Sequence, residues 1–433
     1  MPGQHPSFRE ALRFWLKLGF ISFGGPAGQI AIMHRELVDR RRWIDEPQFL
    51  HALNYCMLLP GPEAQQLAIY LGWLLHGIRG GVVAGALFVL PSALILWALS
   101  WIYVVWREVP LVEAGLHGLK AAVIAIVAAA VLRIGRRALR GQIAWAIAAA
   151  SFLAIAVAGL PFPLIVAVAA LAGLASEALV PGAFSGGGHG TPADATAAAT
   201  ASSSHARTRN GPGRIARVLV VHLVLWLSPI AVAAWALGRD HLLVQQGLFF
   251  SKAALVTFGG AYAVLPYVAQ QAVERFDWLS GPQMMVGMAL AETTPGPLIM
   301  VLQFVGFAGG WNHPAPFSPL VTATLAAAMT TWTTFVPCFL FILLGAPWVE
   351  QMRGNTRISA ALGAITAAVV GVVLSLAVWF GRQVILPGTG GIDLFALAVA
   401  AVSFFGLTRR DWSIPAVVGG AAAAGLVQAW VIG

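Results

Sequence analysis

The sequence predicts an all-α polytopic membrane protein made of two inverted-topology repeats. Each repeat carries broken, re-entrant helix hairpins at two recurring motifs, and one extra transmembrane helix joins the repeats. Three observations lead to this fold class. The 433 residues are 59% hydrophobic and only 10% charged, which is typical of a chain that spans a bilayer many times. A pair of Gly/Pro motifs occurs twice, and the arginines cluster in alternate loops.

Two motifs, Phe-Gly-Gly and Pro-Gly-Pro, occur in each half of the chain at the same spacing. They are Phe23-Gly24-Gly25-Pro26 with Pro60-Gly61-Pro62, and Phe258-Gly259-Gly260 with Pro295-Gly296-Pro297, each second copy standing 235 residues after the first. The same offset relates Lys17 to Lys252 and Trp43 to Trp278. Helix-interrupting residues at matching positions predict a binding site where the two copies meet. The alternative is that the glycines only permit close helix packing and the prolines only kink the helices.

The first repeat is expected over residues 1–180. Apolar periodicity predicts helices over residues 8–23 and 27–39, one on each side of the first motif. Pro47 opens the next helix, which stops at Pro60, and Pro62 starts another that reaches about His76. Four long, nearly uncharged spans follow, at 80–106, 116–134, 142–159 and 161–180.

The second repeat is expected over residues 239–433. Between the repeats, residues 181–213 are rich in Gly, Ser, Ala and Thr and predict a flexible cytoplasmic linker. A connecting transmembrane helix is predicted for 214–238, with its apolar span at 215–237. The second repeat begins near Gln245, and its clear spans are 318–345, 358–380, 392–407 and 412–431.

The distribution of arginines predicts the orientation. With a cytoplasmic N-terminus and hairpins that leave the membrane on the side they entered, the arginine clusters at 40–42, 133–140, 353–357 and 409–410 all face the cytoplasm. Full spans in place of hairpin arms would put Arg40 to Arg42 outside. An even number of crossings in the first repeat, followed by one extra span, inverts the second repeat. A parallel repeat is the weaker alternative, because it would place Arg409 and Arg410 on the outer side of the membrane.

The twin motifs, the tryptophan between them and the two-half layout resemble the chromate ion transporter family in its long, two-domain bacterial form. The resemblance is strongest over residues 8–91 and 245–337. It implies a multi-pass carrier of the bacterial cytoplasmic membrane that exports chromate, driven by the membrane gradient, with sulfate as the look-alike anion. Ala261 stands where Pro26 would recur, so equal contributions from the two halves are not expected.

The motif residues suit a buried dianion. Helices that restart after Gly25, Gly61, Gly260 and Gly296 would point unpaired N–H groups and a partial positive charge at the ligand. Glycine lets an anion approach the backbone, and proline fits a first helical turn where no N–H is missed. Broken helices inside a bilayer are tolerated only where they line a cavity.

Lys17 and Lys252 are candidates for full positive charges at the site. Each precedes its Phe-Gly-Gly motif by nearly two helical turns, roughly 9 Å along a helix. Their alternative role is snorkelling to the membrane interface. Trp43 and Trp278 are expected in the interfacial aromatic belt.

Two carboxylates and several polar side chains stand near the motifs. Glu63 and Glu292 are candidates for proton coupling, since an acid inside a membrane is a functional hypothesis by default. Glu63 has an alternative role as a first-turn cap. Gln65 and Thr294 are candidate donors to the oxyanion, although single polar residues in a span are often satisfied by neighbouring helices.

Other function classes find little support in the sequence. A Walker A sequence is missing, so ATP is not the expected energy source. Ser-His-Asp and His-Glu-x-x-His patterns are missing too, so the chain is not expected to be an enzyme, and an intramembrane enzyme that acts on an anionic lipid head group is the weakest alternative. No cofactor, metal or nucleic acid is expected. The expected partners are a small oxyanion, membrane lipid and, left open, a second copy in a homodimer. An anion channel, or a carrier for another dianion such as sulfate, remains the alternative function.

Overall fold

The computed structural model describes residues 5–23, 25–179, 184, 212–345, 356–386 and 391–432. Within these ranges the regular structure is helical. Seven of the described helices are long and apolar enough to cross a membrane. The chain is therefore a multi-pass membrane protein, as its composition predicts.

The first half contains seven helices, labelled in chain order. They are α1 (Phe8–Ile21), α2 (Gly25–His34), α3 (Glu46–Cys56), α4 (Glu63–Trp106), α5 (Pro110–Ala138), α6 (Gln142–Ala156) and α7 (Phe162–Leu179). A π-helical segment, Arg35–Arg40, extends α2. Helix α4 is interrupted by non-helical backbone at His76 and Gly77, where the sequence predicts one helix to end and a span to begin.

The rest of the described chain contains nine helices. They are α8 (Pro212–Leu237), α9 (Leu242–Val256), α10 (Ala261–Ala269), α11 (Gly281–Thr293), α12 (Val301–Asn312), α13 (Pro319–Gly345), α14 (Thr356–Ile385), α15 (Leu394–Arg409) and α16 (Ile414–Ile432). The π-helical segment Gln270–Arg275 extends α10, and a 3-10 turn, Leu298–Met300, precedes α12.

Some boundaries differ from the sequence-based expectation. Helix α8 starts at Pro212, inside the predicted linker, most of which lies outside the described residues. Two of the nine expected spans, α6 and α15, are only 15 and 16 residues long, shorter than the about 20 residues of a usual membrane helix. After α6, apolar residues continue from Val157 to Leu160 beyond the end of the helix.

Equivalent positions of the two halves share backbone detail as well as sequence. The two π-helical segments are offset by the same 235 residues as the motifs. Arg42 and Asp277, also equivalent, both adopt a positive φ, of 52° and 50°. The next helix is capped in both halves by the preceding side chain, from Asp45 and from Ser280. The sequence duplication is therefore also a duplication of local structure.

The chain returns along α1 after the first motif. The Arg41 guanidinium lies 5.2 Å from the ring centroid of Phe14. The ring centroids of Trp43 and Phe14 lie 5.6 Å apart. The equivalent rings of Phe249 and Trp278 lie 5.5 Å apart in the second half. Because these contacts join the middle of one arm to the far end of the next, the arms run antiparallel on either side of each break.

The equivalent tryptophans differ in burial, since Trp43 is half-buried and Trp278 is buried. Trp278 is 1% exposed and stacks on Phe276 with a centroid separation of 4.5 Å. Trp43 packs beneath Arg41 at 4.8 Å. An aromatic belt requires rings that face the membrane interface, so that expectation is wrong for Trp278, which is fixed by neighbouring aromatic rings.

Two helices at equivalent positions of the halves, the second segment of α4 (residues 78–106) and α13, pack antiparallel. Near the start of the second segment of α4, a Cβ at Gly85 would lie 2.8 Å from the ring of Phe339 near the end of α13. Further along, the Trp97 indole donates to Thr324 Oγ1 at 3.0 Å. Residue numbers therefore rise along one helix as they fall along the other.

Small residues allow the remaining helices to pack closely. A Cβ at Gly118 of α5 would lie 1.9 Å from the carbonyl oxygen of Ala421 in α16, and one at Gly371 of α14 would lie 2.0 Å from that of Ala148 in α6. In each of these two contacts, a helix of one half packs against a helix of the other half. Such contacts are the usual way in which membrane helices approach one another.

Candidate functional site

The breaks of the two halves are joined by two equivalent main-chain hydrogen bonds. The Gly61 N–H donates to the Thr257 carbonyl at 2.7 Å, and the Gly296 N–H donates to the Ser22 carbonyl at 2.8 Å. Gly61 and Gly296 are equivalent positions, as are Ser22 and Thr257. The Pro-Gly-Pro break of each half therefore contacts the residue that precedes Phe-Gly-Gly in the other half.

The Pro-Gly-Pro break of the second half lies beside the middle of a long apolar helix. A Cβ at Gly296 would lie 2.4 Å from the Cβ of Ser92. Ser92 stands equally far along the chain from Ile78 and Trp106, the ends of the second segment of α4. This segment belongs to one of the two most hydrophobic spans of the described residues, so the Gly296 break lies near its mid-depth.

These bonds change which amides are free. The N–H groups of Gly61 and Gly296 are donated to carbonyls of the other half, so only the amides of the helix starts that follow these glycines are left for a ligand. Both glycines have φ near +115° (117° and 112°), a conformation that L side chains rarely adopt. Pro62 and Pro297 each occupy the cap position just before the helix rather than its first turn.

The first Phe-Gly-Gly break opens onto free space. Helix α1 ends at Ile21 and α2 begins at Gly25, with Pro26 in its first turn. A Cβ at Gly25 would meet nothing within 4 Å, and Phe23 is 41% exposed. Gly24 lies outside the described residues. The start of α2 therefore presents its unpaired amides beside a space that a small ligand can enter.

Gln29 connects this first break to the opposite half. Its Nε2 donates to the Gly296 carbonyl at 2.5 Å and to the Ser22 carbonyl at 3.4 Å. The side chain is fully buried, and its Oε1 has no partner. A buried acceptor without a partner is costly, and here it lies where the two halves meet.

The second Phe-Gly-Gly break is occupied by acidic groups. Helix α9 ends at Val256 and α10 begins at Ala261. A Cβ at Gly260 would lie 3.9 Å from Oε1 of Glu63, which comes from the first half. In the first turn of α10, the Tyr262 hydroxyl donates to Oε1 of Glu292. The sequence-predicted acids are therefore both brought to this break.

Other residues of the predicted site have distinct surroundings. Phe258 is half-buried and Gly259 is exposed beside Thr366 of α14. The Pro60 carbonyl accepts from Gln66 Nε2 at 2.7 Å. Pro295 is buried at the end of α11. Thr294 is buried, but its hydroxyl donates to the Leu290 carbonyl at 2.6 Å. The hydroxyl hydrogen is therefore already used and is not free to donate to a ligand.

Gln65 is the candidate donor with unused hydrogen-bonding groups. It is 1% exposed, one turn or less from Pro62 and Glu63, and neither Nε2 nor Oε1 has a partner. Buried amides of this kind are almost always satisfied in proteins. An unpaired buried amide beside a helix break is what an anion-binding position would show.

The two lysines are not brought to the breaks. Lys17 lies on the exposed face of α1, between Leu16 (45% exposed) and Phe20 (51% exposed). Lys252 lies on the exposed face of α9, between Leu248 (57% exposed) and Leu255 (44% exposed). The packed faces of both helices carry the contacts to the breaks. Their placement fits the snorkelling alternative.

Several residues at the breaks were not identified from the sequence. The offset of 235 residues pairs Ser22 with Thr257, a signal that was available. Gln29, Gln66 and Tyr262 have no polar counterpart in the other half, so repetition could not reveal them. The sequence favours a topology role for Arg133, with attraction of anions to the cytoplasmic mouth as the alternative; in the structure its charge also acts on Tyr262 and Glu292.

Comparison with known proteins supports the same assignment. The sequence profile of the family described as "Chromate transporter" matches residues 9–174 and 244–426. A chromate transport protein of Pseudomonas aeruginosa is 33% identical over 411 residues, which is 91% of this chain and 86% of that protein. One from Cupriavidus metallidurans is 29% identical over 424 residues, which is 97% of this chain and 93% of that protein.

A probable chromate transport protein of Synechococcus elongatus is 28% identical over 397 residues, covering 88% of this chain and 86% of that protein. No solved structure matches the chain significantly. The family profile covers both motif-bearing halves, and the similar proteins extend across nearly the whole length, which confirms the resemblance noted from the motifs. The chain belongs to the chromate transporter family.

Proposed function

We propose that this chain is a secondary active transporter that exports chromate from the cytoplasm by alternating access, driven by the membrane gradient, with sulfate as a competitor. The observation that carries the proposal is the pair of exchanged hydrogen bonds that join Gly61 to Thr257 and Gly296 to Ser22. They hold interrupted helices together at mid-depth, where irregular backbone is tolerated only beside a cavity. Relatives named as chromate transport proteins supply the substrate.

The proposed binding surface consists of the helix starts and the unpaired amides around them. Tetrahedral dianions need several donors arranged before binding, because desolvation of a doubly charged ion is expensive. The helix start at Gly25 provides N–H groups and partial positive charge. Gln65 adds a buried amide. The lysines are outside the proposed surface because both lie on exposed helix faces.

We propose an inverted arrangement of the repeats with re-entrant hairpins. Support for the hairpins comes from the antiparallel arms, whose far ends return to Phe14 and Phe249. Support for inversion comes from α4 and α13, equivalent helices that run antiparallel. A two-fold axis along the membrane normal would make equivalent spans parallel, whereas an axis in the membrane plane reverses them. The proposed location is the bacterial cytoplasmic membrane with the N-terminus in the cytoplasm.

Radiolabelled uptake into inside-out vesicles tests the function. Chromate should accumulate when a gradient is imposed, saturate with concentration and be reduced by excess sulfate. Gly25→Leu should abolish uptake, because its side chain would fill the open space at the first break, while Gly419→Leu, also beside open space but in α16, should not. Flux that only follows voltage would instead indicate a channel, and sulfate uptake without chromate uptake would indicate another substrate.

A further inference from the structure

The two halves differ sharply in the acidity of their Phe-Gly-Gly breaks. At the second break, Glu63 lies beside Gly260 and Glu292 accepts from Tyr262. At the first break, the positions equivalent to Glu63, Glu292 and Tyr262 are Leu298, Met57 and Ala27. These side chains can neither carry a charge nor donate a hydrogen bond. The two halves therefore differ in sequence at the positions that carry the acidic groups.

Open space is distributed in the opposite way. A Cβ at Gly25 of the first break would meet nothing within 4 Å, whereas one at Gly260 of the second break would meet the Glu63 carboxylate. A dianion beside an ionised carboxylate is strongly repelled in a medium of low dielectric constant. The first break therefore suits an oxyanion, and the second suits a cation such as a proton.

Glu292 is held in one orientation by its neighbours. It is 7% exposed, on the last turn of α11. The titratable and charged groups that face it are Tyr262 from α10, whose hydroxyl donates to Oε1, and Arg133 from α5, whose charge acts on both groups. Arg133 itself is exposed. The buried acid is thus linked to an exposed cation near the basic end of α5.

We propose that Tyr262 positions Glu292 as the proton-binding group of the transporter, and that the second break is the coupling-proton site while the first break binds the oxyanion. This inference rests on the proposed function. In the step itself, one proton adds to the Glu292 carboxylate from one side of the membrane and leaves to the other. The Tyr262 O–H donates to the carboxyl group in both forms and is not itself lost.

Two assays on the full chain in proteoliposomes test the inference. The first measures radiolabelled chromate accumulation driven by an imposed pH gradient, at a series of pH values. The second measures chromate counterflow at equal pH on both sides, which needs the anion site but no net proton movement. The variants are Glu292→Gln and Tyr262→Phe. The matched control is Tyr267→Phe, a buried tyrosine of the same helix that stacks on Phe162.

Glu292→Gln should lose gradient-driven accumulation and retain counterflow. Tyr262→Phe should lower accumulation about tenfold, the effect of one lost hydrogen bond to a charged group, and shift its pH profile with the KM for chromate unchanged. Tyr267→Phe should follow the wild type. A wild-type pH profile in Tyr262→Phe would overturn the inference. Loss of both counterflow and accumulation in Glu292→Gln would overturn it as well. Wild-type protein without chromate flux in either assay would refute the proposed function itself.

Discussion

Gln65 is a buried side chain whose amide group makes no hydrogen bond to offset the cost of its desolvation. Its amide is 1% exposed and has no partner at either end. Leaving such groups unpaired costs about 1–3 kcal/mol, so a nonpolar replacement of similar size should not weaken the fold. We expect Gln65→Leu to keep or raise the thermal unfolding temperature of the purified protein, while chromate uptake falls about tenfold because a donor to the anion is removed.

Gln303 provides the matched control for this prediction. It is also buried, but its Nε2 donates to the Ala93 carbonyl at 2.7 Å and its Oε1 accepts from Thr331 at 3.2 Å. Gln303→Leu should therefore lower the unfolding temperature. If Gln65→Leu were the less stable of the two and transported normally, Gln65 would be a structural residue.

At this scale, repetition in the sequence located the backbone of the site better than its side chains. Glycines at 61 and 296 were found because both halves need the same main-chain geometry. Gln29 reaches Gly296 across 267 positions of the chain, and no local pattern encodes such a contact. The role of Lys17 stays a prediction, because its recurrence favours function while the structure places it on an exposed helix face.

Among the helices, close contacts at glycine should decide whether the halves assemble. A Cβ at Gly118 of α5 would clash with the Ala421 carbonyl of α16, and one at Gly425 of α16 would lie 2.1 Å from the Ala114 carbonyl. A larger side chain at either position must separate the two helices. We expect Gly118→Leu to destabilise the protein by more than about 3 kcal/mol, measured as loss of monodisperse protein after detergent extraction.

Gly420 on α16 supplies the comparison. A Cβ there would meet nothing within 4 Å, so Gly420→Leu should yield folded protein in normal amount. Equal yields from both variants would mean that the α5–α16 contact contributes little to assembly.

Helix starts and stops were well predicted where glycine, proline or a cap dictates them. Examples are the interruption at His76, the start of α3 next to Pro47 and the ends of α1 and α9. The π-helical segments were not predicted, because an extra residue in a turn leaves no compositional mark. Helix α6 ends at Ala156 although apolar residues continue, so hydropathy alone overestimated its length.

For the molecule as a whole, the proposed inversion makes a prediction about sidedness. Arg42 and Asp277 are equivalent, exposed loop residues with nearly the same backbone conformation. Inverted repeats place them on opposite sides of the membrane. A membrane-impermeant thiol reagent added to intact cells should therefore label the Asp277→Cys protein and leave the Arg42→Cys protein unlabelled until the cells are permeabilised.

Background labelling should be low, because the native cysteines, Cys56 and Cys338, are both buried. Labelling of both variants, or of neither, in intact cells would require parallel repeats. The sequence predicted the antiparallel relation only through its arginine distribution. The structure adds an independent argument, the opposed directions of α4 and α13, which involves no assumption about loop charge.

The hydrogen bonds that join the halves run from main chain to main chain, and this has a consequence for evolution. No side-chain replacement can delete them directly, so related chains that share only about a third of their residues can keep an identical centre. Their real vulnerability is chain length. Inserting or deleting one residue between Ser22 and Gly61 would shift donor against acceptor, so members of the family should tolerate changes of identity there far better than changes of spacing.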